Sequence, residues 1–345
     1  MRRKLFLSFI TLTLLITVFT TSTYAWFKIN SKASISGFDF QVHGGEGFVV
    51  STDGQNYYNG LSKEQVLEAI VYGYDKENYE YRNSNLVHKE TGEEVTDEEL
   101  ILIVSKRLQL TPLTSSNGIE LEDMIGANQT ASSGKYIEFD LYFKATSNVA
   151  NDDLTYEIYF NNLATVSDDQ TPVSPITISS NLSTLKLDRP MVTINGELKR
   201  DDYVTVQSSN AIRLSVQDQS ADKATIYEFY NEYDLGSYAT DYNGDDDNLK
   251  KLYGCQTNAM FTYYNNLKAG LSSLTPLSYD EMPTTIRYQV GSNPEFTKPV
   301  TTVYSGFGAK KVTFRIWIEG WDADCFDGLF ESISVKLTFK SKRIY

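Results

Sequence analysis

Histidine and cysteine are almost missing from this 345-residue chain, at two residues each. A zinc site of four thiolates, or of paired thiolates and imidazoles, is nearly excluded, and without a Cys-x-x-Cys pair a redox enzyme has little basis. No Gly-x-Ser-x-Gly elbow accompanies His43 or His88. Each reads as a surface or turn residue, and no catalytic residue is assigned. Cations are scarce as well: Lys+Arg is 31 against Asp+Glu 45, a net charge of −14. That balance disfavours nucleic acid and anionic lipid as partners. Beyond the first two dozen residues no stretch is apolar enough to span a bilayer. The closing Lys340-Ser341-Lys342-Arg343-Ile344-Tyr345 has neither a hydrophobic tail nor a Leu-Pro-x-Thr-Gly sorting motif. What the chain has in quantity is Tyr (24) and Phe (18), aromatics at 13%, which is the palette of sheet surfaces rather than of helix bundles.

The N-terminus speaks to compartment. Met1-Arg2-Arg3-Lys4 is followed by an apolar run from Leu5 to Thr21, then by Ser22-Thr23-Tyr24-Ala25 and Trp26-Phe27. A cationic start, an apolar middle and small residues at Thr23 and Ala25 form a signal peptide over 1–25, cleaved between Ala25 and Trp26 by a signal peptidase. The other reading is an uncleaved anchor, since the apolar run with its flanks approaches the ~17-residue lower limit for a span. Cleavage leaves no stable membrane anchor, so the expectation is a secreted, extracellular, cell-surface associated protein.

Along the mature chain, period-two alternation recurs as half-buried antiparallel strands require. It runs through Ile137, Phe139, Leu141 and Phe143, through Leu154, Tyr156, Ile158 and Phe160, and through Ile212, Leu214 and Val216. It is clearest at Val312, Phe314, Ile316 and Ile318 and at Ile333, Val335, Leu337 and Phe339, two runs that read as an antiparallel pair. Asn195-Gly196 is a two-residue hairpin signal. Ser62-x-x-Gln65 and Thr96-x-x-Glu99 are capping boxes. The second precedes Leu100–Val104, read as helix although its β-branched content also suits a strand. The polar stretch Thr165–Ser183 reads as a loop. The expected fold is all-β: a single antiparallel β-sandwich over 26–345, jelly-roll-like, with short helical insertions near 62–110 and 247–253.

The junction Ser22-Thr23-Tyr24-Ala25-Trp26-Phe27 resembles that of exported Gram-positive surface proteins processed by a SipW-type signal peptidase, of which the TasA and camelysin group of biofilm-matrix fibre proteins is best known. Phe48–Gly54, Leu110–Leu113, Tyr136–Phe143 and Phe314–Asp322 are similar to stretches of other exported proteins with the same junction. The resemblance implies an exported, non-enzymatic structural subunit of a surface or biofilm matrix that self-associates or joins other matrix proteins. A monomeric carbohydrate- or protein-binding adhesion module is the alternative, and a glycan hydrolase a distant third.

Five further features bear on function. Asp241, Asn243, Asp245 and Asp247 place oxygen ligands as a calcium loop does, but the set is incomplete, and a solvated acidic turn before a helix fits as well. Calcium is the one cofactor considered; otherwise none is expected. Cys255 and Cys325, exported together, would close a loop of about 70 residues worth ~2–4 kcal/mol if bonded, or are two separately buried thiols. Glu319 and Asp322 beside Trp317 and Trp321 are an aromatic-plus-acid cluster; the plainer reading is that Trp321 and Phe326 fold a hairpin loop over the sheet end. Tyrosines crowd at 57–81 and 227–242, as binding surfaces and strands both do. Finally, Trp26, Phe27, Ile29, Ile35, Phe38 and Phe40 sit near the new N-terminus. They form either an assembly strand for a neighbouring copy or an edge strand of their own sheet.

Overall fold

The computed structural model describes residues 33–34, 39–43, 47–115, 117–123, 127–146, 154–161, 165–166, 172–173, 176–187, 191–193, 196–219, 221–222, 224–234, 285–289, 298–320, 322, 324–325 and 333–344. The fold is mostly β. Fifteen strands build two larger sheets. In chain order they are β1 (Asp39–His43), β2 (Phe48–Ser51), β3 (Gly60–Leu61), β4 (Pro112–Thr114), β5 (Leu121–Asp123), β6 (Asn128–Gln129), β7 (Ile137–Ala145) and β8 (Thr155–Phe160), followed by β9 (Thr177–Ser180), β10 (Ile212–Asp218), β11 (Thr225–Tyr230), β12 (Thr285–Gln289), β13 (Thr301–Tyr304), β14 (Lys310–Glu319) and β15 (Ile333–Ile344). The nine-stranded sheet runs β6-β5-β4-β14-β10-β11-β12, with β7 on β14 and β2 on β7. The six-stranded sheet runs β13-β8-β15-β1-β3, with β9 on β15.

β14 organises the larger sheet because alternation buries one whole face of it: Val312, Phe314, Ile316 and Ile318 are all at 0% exposure. β7 and β10 flank it antiparallel, in registers Ile137↔Ile316 and Ile212↔Ile318. Phe139 stacks on Phe314 within this sheet, with centroids 5.5 Å apart. The two sheets then meet through aromatic rings. Phe339 of β15 lies 5.1 Å from Phe143 and 6.1 Å from Phe314, and Phe160 of β8 lies 4.8 Å from Tyr227 at 88°. Each such side chain, fully buried, contributes roughly 1.5–3 kcal/mol, and offset or edge-on geometry adds to it.

Among the described residues there are two α-helices, α1 (Lys63–Tyr74) and α2 (Asp97–Arg107). Ser62 accepts the Gln65 amide at 3.3 Å while Gln65 Oε1 accepts the Ser62 amide at 2.9 Å, the reciprocal cap expected. Val66, Leu67, Ile70 and Val71 are buried. α1 lies along β7 so closely that a Cβ on Gly73 would stand 2.1 Å from the Glu138 carbonyl oxygen. A helix laid against a strand in this way covers backbone that would otherwise be an open edge. Leu100–Val104 is helical: Thr96 Oγ1 accepts the Glu99 amide at 3.3 Å, and Leu100, Ile103 and Val104 fall on one buried stripe. Capping and 3.6-residue spacing outweigh β-branching here.

Several expectations need correction. The runs 312–318 and 333–339 are not paired; β14 and β15 lie in different sheets and face each other through Phe314 and Phe339. Alternation reports that a face is buried, and a strand buries its face equally against a hydrogen-bonded neighbour or across a core. The ladders are not all antiparallel, because β1 with β15, β11 with β12 and β14 with β4 run parallel. The hairpin near Asn195 sets Thr193 opposite Gly196, one residue earlier than an Asn195-Gly196 turn requires. Thr165–Ser183 is no plain loop: it holds a two-stranded ribbon, 165–166 with 172–173, and β9. The predicted helix at 247–253 lies outside the described residues.

Candidate functional site

Around Arg213, Glu228, Trp317 and Glu319 the face of the larger sheet turned away from the second sheet is buried as well. Arg213 of β10 stands opposite Glu228 of β11 and Trp317 of β14. Arg213, Glu228, Trp317 and Glu319 are all at 0% exposure. Two segments cover them. One is the β4–β5 connection, where Leu113 and Leu121 pack with Tyr136, Ile226 and Trp317, and Ser215 Oγ donates to the Gly118 carbonyl at 2.6 Å. The other follows β14, where the Gly320 amide bonds the Leu113 carbonyl at 2.8 Å.

Here the guanidinium of Arg213 ties a knot. Nη2 donates to Asp322 Oδ2 at 2.5 Å and lies 3.5 Å from Glu228 Oε1. Nη1 donates to the carbonyls of Asn210 (2.9 Å) and Ile212 (3.3 Å). Asp322 Oδ1 accepts the Asp324 amide at 2.7 Å, and Trp317 Nε1 donates to Glu319 Oε2 at 3.2 Å. Burial pushes the Asp322 carboxyl up to about 7, with Arg213 opposing and Glu228 and Asp234 adding to the rise. Burial alone would lower Arg213; the charges of Glu228, Asp322 and Glu319 outweigh it and hold the guanidinium charged. Trp317, Glu319 and Asp322, read as a cluster from sequence, are thus brought together, with Arg213 and Glu228 as members the sequence reading missed. Full burial keeps a polymeric substrate away from them. What the arrangement does is tie Gly320, Asp322 and Asp324 to the sheet.

A second constellation lies at the surface around α1. Asp53 Oδ1 accepts from Ser51 Oγ (2.7 Å) and the amides of Gln55 (2.8 Å) and Asn56 (2.9 Å), and Oδ2 accepts from Asn56 Nδ2 (2.9 Å). Burial works upward on Asp53, but those hydrogen bonds hold it below the ordinary carboxylate value. Glu68 of α1 goes the other way: burial, with Asp97, Asp53 and Glu94 nearby and against a bond from the Leu86 backbone, pushes it up to about 7. Tyrosines wall the area. Tyr72 and Tyr81 rings are 5.2 Å apart, Lys144 Nζ sits 5.5 Å over the Tyr57 ring, and Tyr58 is exposed. Close by, Gly73–Glu77 and Thr130–Ser132 line a cleft of about 470 Å³. Ring faces beside carboxylates can stack on a sugar or take a polar protein surface. The tyrosine crowding was visible in sequence; Glu68, in an otherwise ordinary helix, was not.

The remaining sequence candidates distribute unevenly. His88 Nε2 lies 3.0 Å from Glu99 Oε1 and its ring 5.0 Å from Tyr79, joining the 79–88 ribbon to α2. His43 is in β1. Cys325 is half-buried against the main core, whereas Cys255, the calcium-loop residues Asp241, Asn243, Asp245 and Asp247, and Trp321 and Phe326 lie outside the described residues. So do Ala25, Trp26, Phe27, Ile29, Ile35 and Phe38; Phe40 is in β1, opposite Val335 of the same chain. Among the described residues no group of three or more His, Cys, Asp or Glu is placed to hold a metal ion, and no helix is long and apolar enough to cross a membrane. No family model, curated protein or solved structure matches the chain.

Proposed function

We propose that this chain is a secreted, cell-surface associated structural subunit without enzymatic activity, a jelly-roll-like β-sandwich that joins copies of itself or other matrix proteins. The observation that carries this reading, together with the export signal, is the seat of β1, the first strand of the six-stranded sheet; ahead of it, Ala33–Ser34 pairs with Gln109–Leu110 of the same chain. β1 is an inner strand, parallel to the C-terminal β15 from Asp39↔Ser334 to His43↔Thr338 and antiparallel to β3. A first strand laid parallel to the last owes its place to no hairpin, and the same segment of a neighbouring copy meets the same backbone partners. The apolar residues Trp26, Phe27, Ile29, Ile35 and Phe38 precede it and, in this reading, anchor the exchanged segment on the neighbouring copy, so removing them loosens its hold. Passed one way, from each copy to the next, such an exchange is head-to-tail and builds filaments, whereas a reciprocal swap would close a dimer. The test is to delete Trp26–Ser36 from the mature protein and follow assembly by light scattering and electron microscopy. Loss of filaments supports the reading; unchanged filaments, or a wild type monomeric at high concentration, defeats it.

A second reading, a carbohydrate- or protein-binding adhesion module, is favoured by the tyrosines around α1: Tyr57 under Lys144, exposed Tyr58, and Tyr72 against Tyr81. It predicts a monodisperse protein with saturable glycan binding that Tyr57→Ala weakens.

A further inference from the structure

Two exposed patches of opposite charge lie on different parts of the chain. On α2, Leu100, Ile103 and Val104 are spent on the core, yet Ile101 and Leu102 remain 52% and 48% exposed. With Glu98 they stand at i, i+3 and i+4, on one outward stripe. The surrounding stretch Glu93–Glu99 carries five acids and no base.

The second patch is a corner of the six-stranded sheet. Tyr304 ends β13 at 42% exposure, and Phe307, in the turn to β14, is 67% exposed with its ring 6.0 Å from Tyr304. β8 sets Thr155 opposite both Tyr304 and Ile344, which brings the 38%-exposed Ile344 to the same corner. Lys342, two residues before Ile344, shares its face and is exposed. Glu157, opposite Lys342, accepts the Tyr159 hydroxyl at 2.5 Å. In a chain of net charge −14, neither 304–318 nor 333–345 contains an acid; of their seven Lys and Arg, Lys311 and Arg315 are spent on Asp140 and Glu138 of the larger sheet.

We propose that the acidic apolar face of α2 on one copy docks on the basic aromatic corner of the next, Ile101 and Leu102 against Tyr304 and Phe307, Glu98 against Lys342. Pairing either patch with itself sets like charges face to face, which is costly. Joining the two unlike patches leaves one of each open at the ends, so the contact is heterologous and propagates. It rests on the self-association reading above and adds a lateral contact distinct from the exchanged strand. Its charged rim makes it weaken as salt rises.

The test is sedimentation of the mature protein across concentration and ionic strength. Glu98→Lys and Lys342→Glu, both at exposed positions, are each expected to weaken association at least about tenfold. Mixing the two variants restores it, because each reversed patch then meets its complement. Phe307→Ser weakens it without changing the salt dependence. Single reversals that associate like wild type, a mixture that does not recover, or a Lys342→Glu effect confined to binding of anionic phospholipid vesicles overturns the proposal. If deletion of Trp26–Ser36 abolishes assembly while the reversals leave it intact, strand exchange stands and this contact falls. A wild type that never associates defeats both.

Discussion

Replacing Arg213 by Met tests the buried knot most directly. The guanidinium is fully buried, pairs with Asp322 and Glu228, and donates to two main-chain carbonyls. Methionine fills much of the volume but supplies neither charge nor donors. Removing one partner of a buried ion pair costs about 3–5 kcal/mol, a large fraction of the ~5–15 kcal/mol that holds a domain together. Asp322→Asn is milder, about 1–3 kcal/mol, because its one side-chain oxygen can accept from the Asp324 amide or from Arg213 but not from both, so one of the two bonds is lost while Glu228 still faces the guanidinium. pH separates the two variants. The Asp322 carboxyl rises from 3.8 in the unfolded chain to about 7 in the folded one, so the folded state holds its proton more tightly. That contribution is complete below about 4 and is lost as pH climbs through 7. Urea midpoints of the wild type should therefore fall between pH 5 and pH 8. Asp322→Asn should reduce that fall to the part that Glu68, also pushed up to about 7, contributes, and Arg213→Met should steepen it, since Asp322 then ionises without its cation. A wild-type slope retained in Asp322→Asn, or an Arg213→Met midpoint within ~0.5 kcal/mol of wild type, refutes the reasoning.

Phe339→Ala empties the meeting point of Phe143, Phe160 and Phe314 and should cost about 3–5 kcal/mol by urea unfolding, whereas Phe307→Ala at an exposed turn should stay within ~0.5 kcal/mol. Gly73→Ala, worth up to ~1 kcal/mol of gain in an ordinary helix interior, should instead destabilise, with faster hydrogen exchange over 63–74, because its Cβ meets the Glu138 carbonyl. Intact-mass analysis of the exported protein should place its N-terminus at Trp26 or within a few residues; retention of 1–25 contradicts the signal-peptide reading.

The strands were legible where one face is wet. β7 buries Ile137, Phe139, Leu141 and Phe143 and leaves Glu138, Asp140 and Tyr142 more open, and its period survives in the sequence. Helix caps were legible because a cap is local: Ser62 with Gln65 and Thr96 with Glu99 are three residues apart. Partnership was not. The β14–β15 misassignment arose because 13 residues join them and both alternate, and nothing in either period says whether the neighbour lies at ~4.8 Å through hydrogen bonds or at ~10 Å across a core. The parallel pairs β1–β15 and β11–β12 were equally hidden, since their partners meet only after long excursions of the chain. The tight turn between Tyr79–Arg82 and Asn85–His88 was missed for a different reason. Asn83 and Ser84 take φ of 49° and 76°, the conformation a two-residue hairpin turn demands, without the glycine that usually signals it.

The knot was half legible for a reason that reaches beyond this cluster. Trp317, Glu319 and Asp322 are close in sequence, so an aromatic-plus-acid grouping could be read directly. Arg213 and Glu228 arrive from β10 and β11, about a hundred residues earlier, and Arg213 sits between the alternating Ile212 and Leu214, where a charged residue ordinarily marks the solvent side. Period two assigned Arg213 to the correct face; the error lay in taking that face to be wet. Its burial depends on Gly118 in the β4–β5 connection and on Gly320, Asp322 and Asp324 closing over it. Those segments are irregular, and their docking is fixed by the Arg213–Asp322 pair, the Gly320–Leu113 bond and the Trp317 cluster together. Cover and knot thus require each other. A charged residue on the outer face of a strand is therefore ambiguous until its cover is known, and the pH dependence of Asp322→Asn measures that cover from within.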